Sequence, residues 1–599
     1  SMRWGSGEQT WVRPLHSILC IFDSKVVPVE FAGVKASNVT YGHRFLAPKA
    51  ITIKNAGDYE GALDKASVIA KRDERKKEIL EQAQEAASKT GLKLREDDGL
   101  LDEVTGLVEW PVVLVGTIDK AYMDLPPEVL VSEMRAHQKY FALETKDGAL
   151  AGKFLITANM KDADKTIIAG NERVLRARLA DGRFFWDQDR KKPLAEWTKG
   201  LVNVTYHAKL GSIADKVERM KKLSLVILSA AKDLKALSSD VERAATLCKA
   251  DLVTGMVGEF PELQGVMGRY YALAQGEKPE VADAIRDHYL PKGAGDDMPK
   301  GAVSICLALA DKLDTLVSMF AIGEKPTGSK DPFALRRAAL GVIRIVLEND
   351  IRLPLMPLFA QAPVREIALH KAHEKLVKQT EVKLHDPHKV GKYLTVNESA
   401  SEDIPEGAQA TLAHSLLAFF HDRLIVQMKE SGIRHDVIKA VVANGDDDLV
   451  RIVTRAKAVQ AFLESDDGKN LLAGYKRAAN IVAIEEKKDG TSYNYRRQDL
   501  RAESPQFTPE ELALVGIIES VQHKLSEVLP QEDYLLAMQG LATLRKPLDV
   551  FFDKIMINHE ESHIRENRLR LLAGIRACMN AVADFGKIEG DAREQKKAA

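Results

Sequence analysis

The sequence of 599 residues has only four cysteines, Cys20, Cys248, Cys306 and Cys578, and they lie far apart. This spacing excludes a metal site built from neighbouring cysteines and the dense disulfide framework of a small secreted protein. We therefore expect a reducing, cytoplasmic environment. The sequence also lacks both an apolar run of about 18 residues and a secretion signal, so we predict neither membrane association nor export.

The sequence has almost no net charge. Its 86 Lys and Arg residues are balanced by 87 Asp and Glu residues, which gives a formal net charge of -1. A uniformly positive, nucleic-acid-binding surface is thereby excluded, and any polyanion must bind to local basic patches. The length predicts several domains. Trp4 and Trp11 stand where a free terminus is usually polar, so we expect this chain to be a piece of a longer one.

Three common motifs of enzymes are missing. The sequence contains no G-x-x-x-x-G-K-[ST] phosphate loop, no G-x-G-x-x-G dinucleotide fingerprint and no G-x-S-x-G of serine hydrolases. Nothing therefore indicates that the backbone of this chain cradles the phosphates of a nucleotide. We predict no cofactor and no metal ion in this chain.

The sequence changes in character near residue 200. Before that point, short β-rich runs alternate with turns, and Asp147-Gly148 predicts the tight turn of a hairpin. Beyond Gly211, apolar residues recur every three or four positions, which is typical of helices. We predict a multidomain α+β fold. Its predicted parts are a mixed α/β domain at 1–200, a helical domain at 201–352, a linker or insertion at 353–406 and an all-helical domain at 407–590.

Several histidine patterns are compatible with metal chemistry. The stretch from His559 to His563 matches H-E-x-x-H, which on a helix would place two imidazoles on one face for zinc. No third ligand accompanies it, so we favour a solvated helical turn. The other candidates, interpreted as a polar linker and as surface pairs, are His370, His373, His385 and His388, and the dipeptides His421-Asp422 and His435-Asp436.

Another metal-site candidate lies between residues 217 and 314. The helical segments V-E-R-M-K-K-L, A-T-L-C-K-A-D-L-V-T and L-A-L-A-D-K-L-D resemble the ligand-bearing segments of an HD domain, with Asp251 and Asp311 at its aspartate positions. The histidines are missing, since Ala250 stands where the paired His belongs. Two carboxylates alone would hold a divalent metal weakly. We interpret this region as a degenerate HD domain.

Two helical segments carry basic residues on one side. In H-I-R-E-N-R-L-R-L-L-A-G-I-R-A-C, Arg565 and Arg576 project almost together at about 100° per residue, and Arg568 lies roughly 60° away. Such rows fit contacts to phosphates, although a solvated helix face is the commoner explanation. The second segment, L-L-A-G-Y-K-R-A-A-N-I-V, brings together Lys476, Arg477 and Asn480.

A series of longer motifs runs through nearly the whole chain. In order they are M-R-W-G-S-G, V-R-P-L-H, G-H-R-F, V-E-W-P-V-V-L, H-Q-K-Y-F, G-N-E-R-V-L-R-A-R-L-A-D, Q-G-V-M-G, G-S-K-D-P-F-A-L-R-R-A-A-L-G, K-R-A-A-N-I, P-L-D-V-F-F-D-K-I-M and R-E-N-R-L. Together they resemble the β subunit of the bacterial heterotetrameric glycyl-tRNA synthetase. Only the stretch near 360–405 departs from the family. The family's chain normally has a further N-terminal region before the first motif, which we expect to be missing here.

The resemblance implies three working parts. The N-terminal part is similar to the editing-type domain of the large phenylalanyl-tRNA synthetase subunit, the middle to a degenerate HD domain, and the C-terminal helices to the anticodon-binding domain of the arginyl and cysteinyl enzymes. In the family, ATP, Mg and the aminoacylation site belong to the α subunit of a complex of two α and two β subunits. This chain is therefore expected to have no catalytic residue and to position tRNA(Gly).

The resemblance also directs the choice of contact residues. We expect basic and amide side chains of the C-terminal helices to face the anticodon arm, and a basic group after residue 329 to lie near the acceptor end. The predicted contacts are Lys476, Arg477, Asn480, Arg565, Asn567 and Arg568 for the anticodon arm, and Lys330, Arg336 and Arg337 for the acceptor end.

Two other functions stay open on the sequence alone. The first is a metal-dependent phosphohydrolase that uses the HD-like region, against which the missing histidines argue. The second is a noncatalytic RNA-binding scaffold without a synthetase partner, which would bind tRNA but would not stimulate an α subunit.

Overall fold

The computed structural model describes residues 2–3, 7–231, 234, 236–361, 406–500 and 507–589. The chain divides into two compact units. The first comprises Ser1–Pro193 and Leu252–Tyr270, and the second comprises Leu194–Asp251 and Tyr271–Ala599. Most of the predicted linker, including His370, His373, His385 and His388, lies outside the described residues.

The described strands are short and lie mainly in the first unit. They are β1 (Met2–Arg3), β2 (Thr10–Trp11), β3 (Ile18–Leu19), β4 (Ile21–Phe22), β5 (Lys25–Val26), β6 (Glu30–Phe31), β7 (Val34–Ser37), β8 (Val39–Tyr41), β9 (Ala50–Thr52), β10 (Lys93–Leu94), β11 (Val112–Thr117), β12 (Phe141–Glu144), β13 (Leu150–Ala158), β14 (Thr205–His207) and β15 (Gly211–Ser212).

The described α-helices occur in both units and make up most of the second. They are α1 (Tyr59–Lys65), α2 (Arg72–Lys89), α3 (Asp98–Thr105), α4 (Pro127–Ser132), α5 (Thr166–Asp189), α6 (Leu194–Trp197), α7 (Ile213–Ala230), α8 (Ser238–Leu247), α9 (Gly255–Glu259), α10 (Val266–Ala274), α11 (Pro279–Asp287), α12 (Ala302–Ala321), α13 (Leu335–Glu348), α14 (Leu355–Gln361), α15 (Glu406–Glu430), α16 (His435–Val442), α17 (Leu449–Glu464), α18 (Asp466–Asp489), α19 (Pro509–Val528), α20 (Tyr534–Ala542), α21 (Arg545–Lys554) and α22 (Ser562–Asn580).

An antiparallel four-stranded sheet forms the core of the first unit. Its strand order is β10-β12-β13-β11, with Val112 opposite Ala158 in the β11–β13 pair. Helices α2 and α3 pack against this sheet, and Ile79 and Leu155 belong to the shared apolar core. The β12–β13 hairpin turns through Gly148 at φ 85°, which confirms the turn predicted from the Asp-Gly dipeptide.

Residues 7–54 form what we call the N-terminal β module, which is built from strands of two to four residues. Strands β3, β7 and β6 make a three-stranded sheet, and β4–β5 and β8–β9 are antiparallel pairs. The amide of Cys20 donates a hydrogen bond to the carbonyl of Ser37 at 3.2 Å, which joins β3 to β7. Within the module only His43 and Ile53 are buried. Backbone hydrogen bonds, more than an apolar core, therefore hold its strands together.

The second unit is helical after β15, as the sequence predicts. Helix α12 is buried on nearly all sides, because α7, α8, α11 and α13 surround it and its residues are apolar around most of its circumference. Towards the C-terminus, α18 packs against α22, and α19 packs against α20, α21 and α22. Within the described ranges, no helix has the length and apolar character needed to cross a membrane.

Two histidine predictions differ from the structure. The His421-Asp422 and His435-Asp436 dipeptides are only half on the surface. Asp422 and His435 are exposed, whereas His421 is 8% exposed with Nε2 2.8 Å from the carbonyl oxygen of Asp446, and Asp436 is 6% exposed. Asp436 is turned inward because its carboxylate accepts hydrogen bonds from the amides of Val437 and Glu589. In the H-E-x-x-H stretch, α22 begins only at Ser562, so the first histidine precedes the helix. The two imidazoles therefore do not share a helix face.

Candidate functional site

Helix α18 presents a basic side that its neighbours do not neutralise. The side chain of Ser465 caps its first turn by accepting a hydrogen bond from the amide of Gly468 at 3.0 Å, and Gly490 ends it at φ 64°. Arg477 and Asn480 are exposed and Lys476 is half-buried. Among the described residues, no carboxylate lies within ion-pair distance of Lys476 or Arg477. These two cations are available to an anion from outside the chain.

The guanidinium group of Arg477 is held in position by an aromatic ring. Its Cζ atom lies 4.2 Å from the centroid of the Phe552 ring, which belongs to α21. A cation over a ring face is attracted to the ring without losing its charge. Contact with α21 therefore orients Arg477 while leaving its N–H groups able to donate.

Helix α22 carries arginines that are, by contrast, paired with acids of α18. Arg565 forms ion pairs with Glu485 and with Asp489, the latter at 2.6 Å, and Arg576 lies 2.8 Å from Glu486. Hydrogen bonding to Arg565 holds the pKa of Glu485 below its ordinary value, and Arg576 does the same for Glu486. These arginines join α22 to α18.

Arg568 and Asn567 are buried within the helical bundle. Arg568 is 7% exposed, and its guanidinium donates to the Glu511 carboxylate and to the Met556 carbonyl, both at 2.6 Å. Asn567 is 6% exposed. The structure thus gives Arg568 a bracing role between α22 and α19. The assignment of Arg565, Asn567 and Arg568 to tRNA contacts stays a prediction.

The predicted acceptor-end residues lie around the start of α13. The Asp331 carboxylate accepts hydrogen bonds from the amides of Leu335 and Arg336 at 2.8 and 2.9 Å. The Arg336 side chain donates to the carbonyl of Gly328 at 2.7 Å and so braces the preceding turn. Lys330 and Arg337 are exposed. The structure brings these residues together at one helix start, and their contact with tRNA stays a prediction.

A buried cluster of opposite charges occupies the region predicted to be HD-like. The ammonium groups of Lys216 and Lys249 lie 3.3 and 3.2 Å from the same Oδ1 atom of Asp311, and both lysines are 4% exposed. Although burial alone would raise the pKa of Asp311, the two ammonium groups hold it well below its ordinary value. Asp311 is therefore an ionised carboxylate shared by two cations.

The next turn of α12 extends this cluster. Asp314 is fully buried and accepts hydrogen bonds from Arg219 Nε at 2.7 Å and from Lys216 Nζ at 3.2 Å. Lys312 donates to the carbonyl of Leu290 at 2.7 Å, and burial lowers the pKa of Lys312 to about 8. Sequence analysis identified Asp311 but missed the lysines and Asp314, because their partners lie on other helices.

This cluster does not fit a divalent metal ion. Within the described part of the chain, no group of three or more His, Cys, Asp or Glu side chains is arranged to hold one. Asp251 is fully buried, but the Asp311 oxygen that a metal would need is shared by two ammonium groups. A divalent cation bound to this oxygen would either lie beside two ammonium groups, which would repel it, or have to displace them from their buried counter-charge. The HD fold itself stays a prediction.

The first unit contains a buried carboxyl group that sequence analysis missed. Glu133 is 1% exposed and begins a π-helical turn, Glu133–Gln138. Its Oε2 atom has no hydrogen-bond partner among the described residues, and His137 Nε2 lies 4.0 Å away. Burial raises the pKa of Glu133 to about 7. In the sequence Glu133 resembles any charged residue on a helix surface, so no signal distinguished it.

Comparison with known proteins connects these features to a family. The model described as glycyl-tRNA synthetase beta subunit matches residues 1–443, and that of the DALR anticodon binding domain matches residues 471–586. The chain belongs to the glycyl-tRNA synthetase beta subunit family. Similar proteins named glycine–tRNA ligase beta subunit occur in Rhodospirillum centenum, Phenylobacterium zucineum and Paracoccus denitrificans, with 46%, 46% and 45% identity. The alignments cover 98% of this chain and 81%, 80% and 80% of these relatives.

Membership of the glycyl-tRNA synthetase beta subunit family confirms the resemblance drawn from the motifs. The DALR match spans α18 to α22, so the predicted helical anticodon-binding domain is confirmed for the C-terminal region. Within it, α18 carries the basic side with Lys476 and Arg477, and α22 carries the paired arginines. The editing-type N-terminal domain and the predicted domain boundaries stay predictions.

Proposed function

We propose that this chain binds tRNA(Gly) and presents its acceptor end to the active site of a separate α subunit, where glycine is joined to the tRNA at the expense of ATP. The observation that carries the proposal is the un-neutralised basic side of α18 inside the DALR match. Holding the end of the tRNA beside activated glycine replaces a bimolecular encounter by an intramolecular one. The chain's contribution to the rate is therefore positioning.

The proposal includes partners and a location. ATP and Mg bind to the α subunit, and the working complex contains two α and two β subunits in the cytoplasm. Family membership supports the partnership with an α subunit, because the relatives are named as beta subunits of glycine–tRNA ligase. A beta subunit requires a partner to complete the enzyme.

The chemistry of α18 suits an RNA backbone. Lys476 and Arg477 can donate to phosphate oxygens, and Asn480 can both donate and accept at a base edge or a ribose hydroxyl. Because the whole chain has a net charge of -1, this local basic side must supply the attraction that a global positive field does not. Binding should therefore depend on salt in proportion to the few phosphates contacted.

A paired substitution tests this assignment. We expect Lys476→Ala/Arg477→Ala to weaken tRNA(Gly) affinity by roughly tenfold and to lower the slope of log affinity against log salt by about 1 to 2. The matched control is Lys439→Ala/Lys457→Ala, which removes two exposed cations of the same unit outside the DALR match. Binding is measured by filter retention over a salt series, and glycylation is measured with the α subunit added.

Two results would overturn the proposal. If the α18 variant bound and charged tRNA like the control variant, the basic side of α18 would not be the contact. If this chain activated glycine without the α subunit, or if charging were equally fast when this chain was omitted, its role would not be positioning.

A further inference from the structure

The N-terminal β module has an unusually apolar surface. Of the 21 large apolar side chains that are strongly exposed among the described residues, nine belong to this small module. Scattered apolar residues are normal on a protein surface, but such a concentration marks a binding surface. The nine are Trp11, Val12, Phe22, Val26, Val29, Phe31, Tyr41, Phe45 and Leu46.

Five of these side chains are aromatic rings, four of them on short strands and the fifth, Phe45, in the turn between β8 and β9. The most exposed are Phe22 at 76%, Phe45 at 70% and Tyr41 at 56%. Trp11 is 53% exposed and meets Phe31 edge-on, with ring centroids 5.8 Å apart. Paired strands fix the backbone beneath Trp11, Phe22, Phe31 and Tyr41, and all five rings are exposed to solvent instead of being buried in a core.

The same module is positively charged. It contains six Lys and Arg residues and three Asp and Glu residues, a net formal charge of +3 in a chain whose total is -1. All six basic side chains are exposed, and within the described part of the chain none lies within ion-pair distance of a carboxylate. They are Arg13, Lys25, Lys35, Arg44, Lys49 and Lys54.

We propose that the N-terminal β module binds single-stranded RNA. Unpaired bases would stack on the exposed rings while the lysines and arginines contact the phosphates, which is how sequence-tolerant single-strand-binding surfaces work. Arg44 already lies 5.8 Å from the Phe45 ring centroid, so a cation and a stacking face occur side by side. Resting on the proposed function, the natural source of such RNA is the unpaired 3′ end of the tRNA.

Charge favours RNA over a protein as the occupant. The centres of protein–protein interfaces are depleted in lysine, whereas this surface alternates aromatic residues with Lys25, Lys35 and Lys49 along the chain. Un-neutralised lysines next to rings complement a polyanion that carries flat bases. A protein partner is treated below as the outcome that would overturn the proposal.

The test uses the full chain and a fluorescent, unstructured single-stranded RNA of about 12 nucleotides, within the site sizes of such surfaces. We expect Phe22→Ala/Phe45→Ala to weaken binding at least fivefold, because each lost stacking platform removes part of the affinity. The matched control, Leu107→Ala/Phe184→Ala, removes two exposed apolar side chains of the same unit outside the module and should change affinity less than twofold. Binding is followed by fluorescence anisotropy.

A charge variant gives an independent readout. We expect Lys25→Ala/Lys35→Ala to lower the salt slope of binding by about 1.4, from about 0.7 for each phosphate on single-stranded nucleic acid. The control Lys77→Ala/Lys89→Ala removes two lysines of α2, each paired with a glutamate, and should leave the slope unchanged. RNA binding should also quench the fluorescence of Trp11, and the substitution Trp11→Phe should remove that change.

The outcomes separate this inference from the proposed function. All module variants are repeated with Lys476→Ala/Arg477→Ala present, so that α18 does not contribute. If the module variants bound the RNA as tightly as their controls, the inference would be wrong even if the α18 variant lost tRNA binding. It would equally be wrong if Phe22→Ala/Phe45→Ala kept RNA affinity but lost binding to the α subunit, since the surface would then be a protein interface.

Discussion

Two groups of basic residues in the second unit differ in what surrounds them. Lys216 and Lys249 are buried against Asp311, whereas Lys476 and Arg477 lie on α18 with no carboxylate partner among the described residues. The first group is neutralised inside the chain by buried carboxylates. The second lacks such counter-charges among the described residues, which suits the proposed contact with an anion. The position of the acids, more than the number of cations, therefore distinguishes a structural cluster from a binding surface.

Removing a buried acid of the first group is expected to have the largest effect on stability. We expect Asp314→Ala to lower the free energy of unfolding by about 3–5 kcal/mol, because Arg219 and Lys216 would lose a buried counter-charge. Urea denaturation followed by helical circular dichroism measures this change. The control Glu81→Ala removes the exposed partner of Lys77 and should change stability little. A loss for Asp314→Ala as small as that of the control would show that the cluster is not stabilising.

Arg568 is predicted to contact tRNA, but its buried position resembles that of Lys216 and Lys249. Substituting it tests whether it acts as a structural cation or as a binding cation. We expect Arg568→Met to lower the free energy of unfolding by roughly 2–4 kcal/mol, since Glu511 would stay buried without its cation. Arg568→Lys should retain part of that stability. Thermal and urea denaturation measure both variants. If Arg568→Met unfolded like the unaltered chain but lost tRNA affinity, Arg568 would belong with Lys476 and Arg477.

Glu133 provides the opposite case, a buried carboxyl that is not held ionised by close cations as Asp311 is. Its raised pKa of about 7 means that the folded chain binds this proton more tightly than the unfolded chain. Stability from this group is thus full below its ordinary pKa and is lost as pH rises through about 7. We expect Glu133→Gln to stabilise the first unit by roughly 2–3 kcal/mol at pH 8 and far less at pH 5.

The Glu133 experiment follows urea denaturation by the fluorescence of tryptophans such as Trp110 and Trp186, which lie in the first unit. Repeating it with Glu128→Gln, an exposed glutamate of α4, controls for the loss of one charge. An equal effect of Glu133→Gln at both pH values would show that Glu133 does not titrate in this range.

The smallest effect on stability is expected at the proposed binding surface, the basic side of α18. Lys476→Ala/Arg477→Ala should change the free energy of unfolding by no more than about 1 kcal/mol, because neither cation has a carboxylate partner among the described residues and Arg477 loses only its contact with the Phe552 ring. The same variant should lose tRNA affinity, which separates binding from folding. A destabilisation close to that of Arg568→Met would show that Lys476 and Arg477 stabilise the fold as a buried, paired cation does.

Local features of the fold could be predicted from the sequence. The Asp-Gly turn needs only a positive φ, and the helices after Gly211 need only a repeating apolar pattern, so both follow from neighbouring residues. The helical wheel also placed Arg565 and Arg576 on one side of α22, and both meet acids of α18. The family followed from motifs that run along the chain.

Features that depend on distant partners could not be predicted in this way. Arg568 looks like a free cation until α19 brings Glu511 to it, and His421 looks like a surface residue until the carbonyl of Asp446 meets its ring. The N-terminal β module could not be distinguished by its β-rich pattern either. Only the solvent exposure of Phe22 and Phe45 shows that its apolar residues are not a core.

The two ends of the stretch between α14 and α15 are fixed to the same bundle. Helices α14 and α15 pack together, and Pro354 forms an isolated β-bridge with Asp448. The Arg352 guanidinium lies 2.8 Å from the Asp448 carboxylate and 2.5 Å from the Glu532 carboxylate. We therefore expect that insertions or deletions between residues 361 and 406 would leave α18 undisturbed. For the same reason, we expect that an affinity tag inserted at this place would let the protein be immobilised while α18, the proposed tRNA-binding helix, stays free.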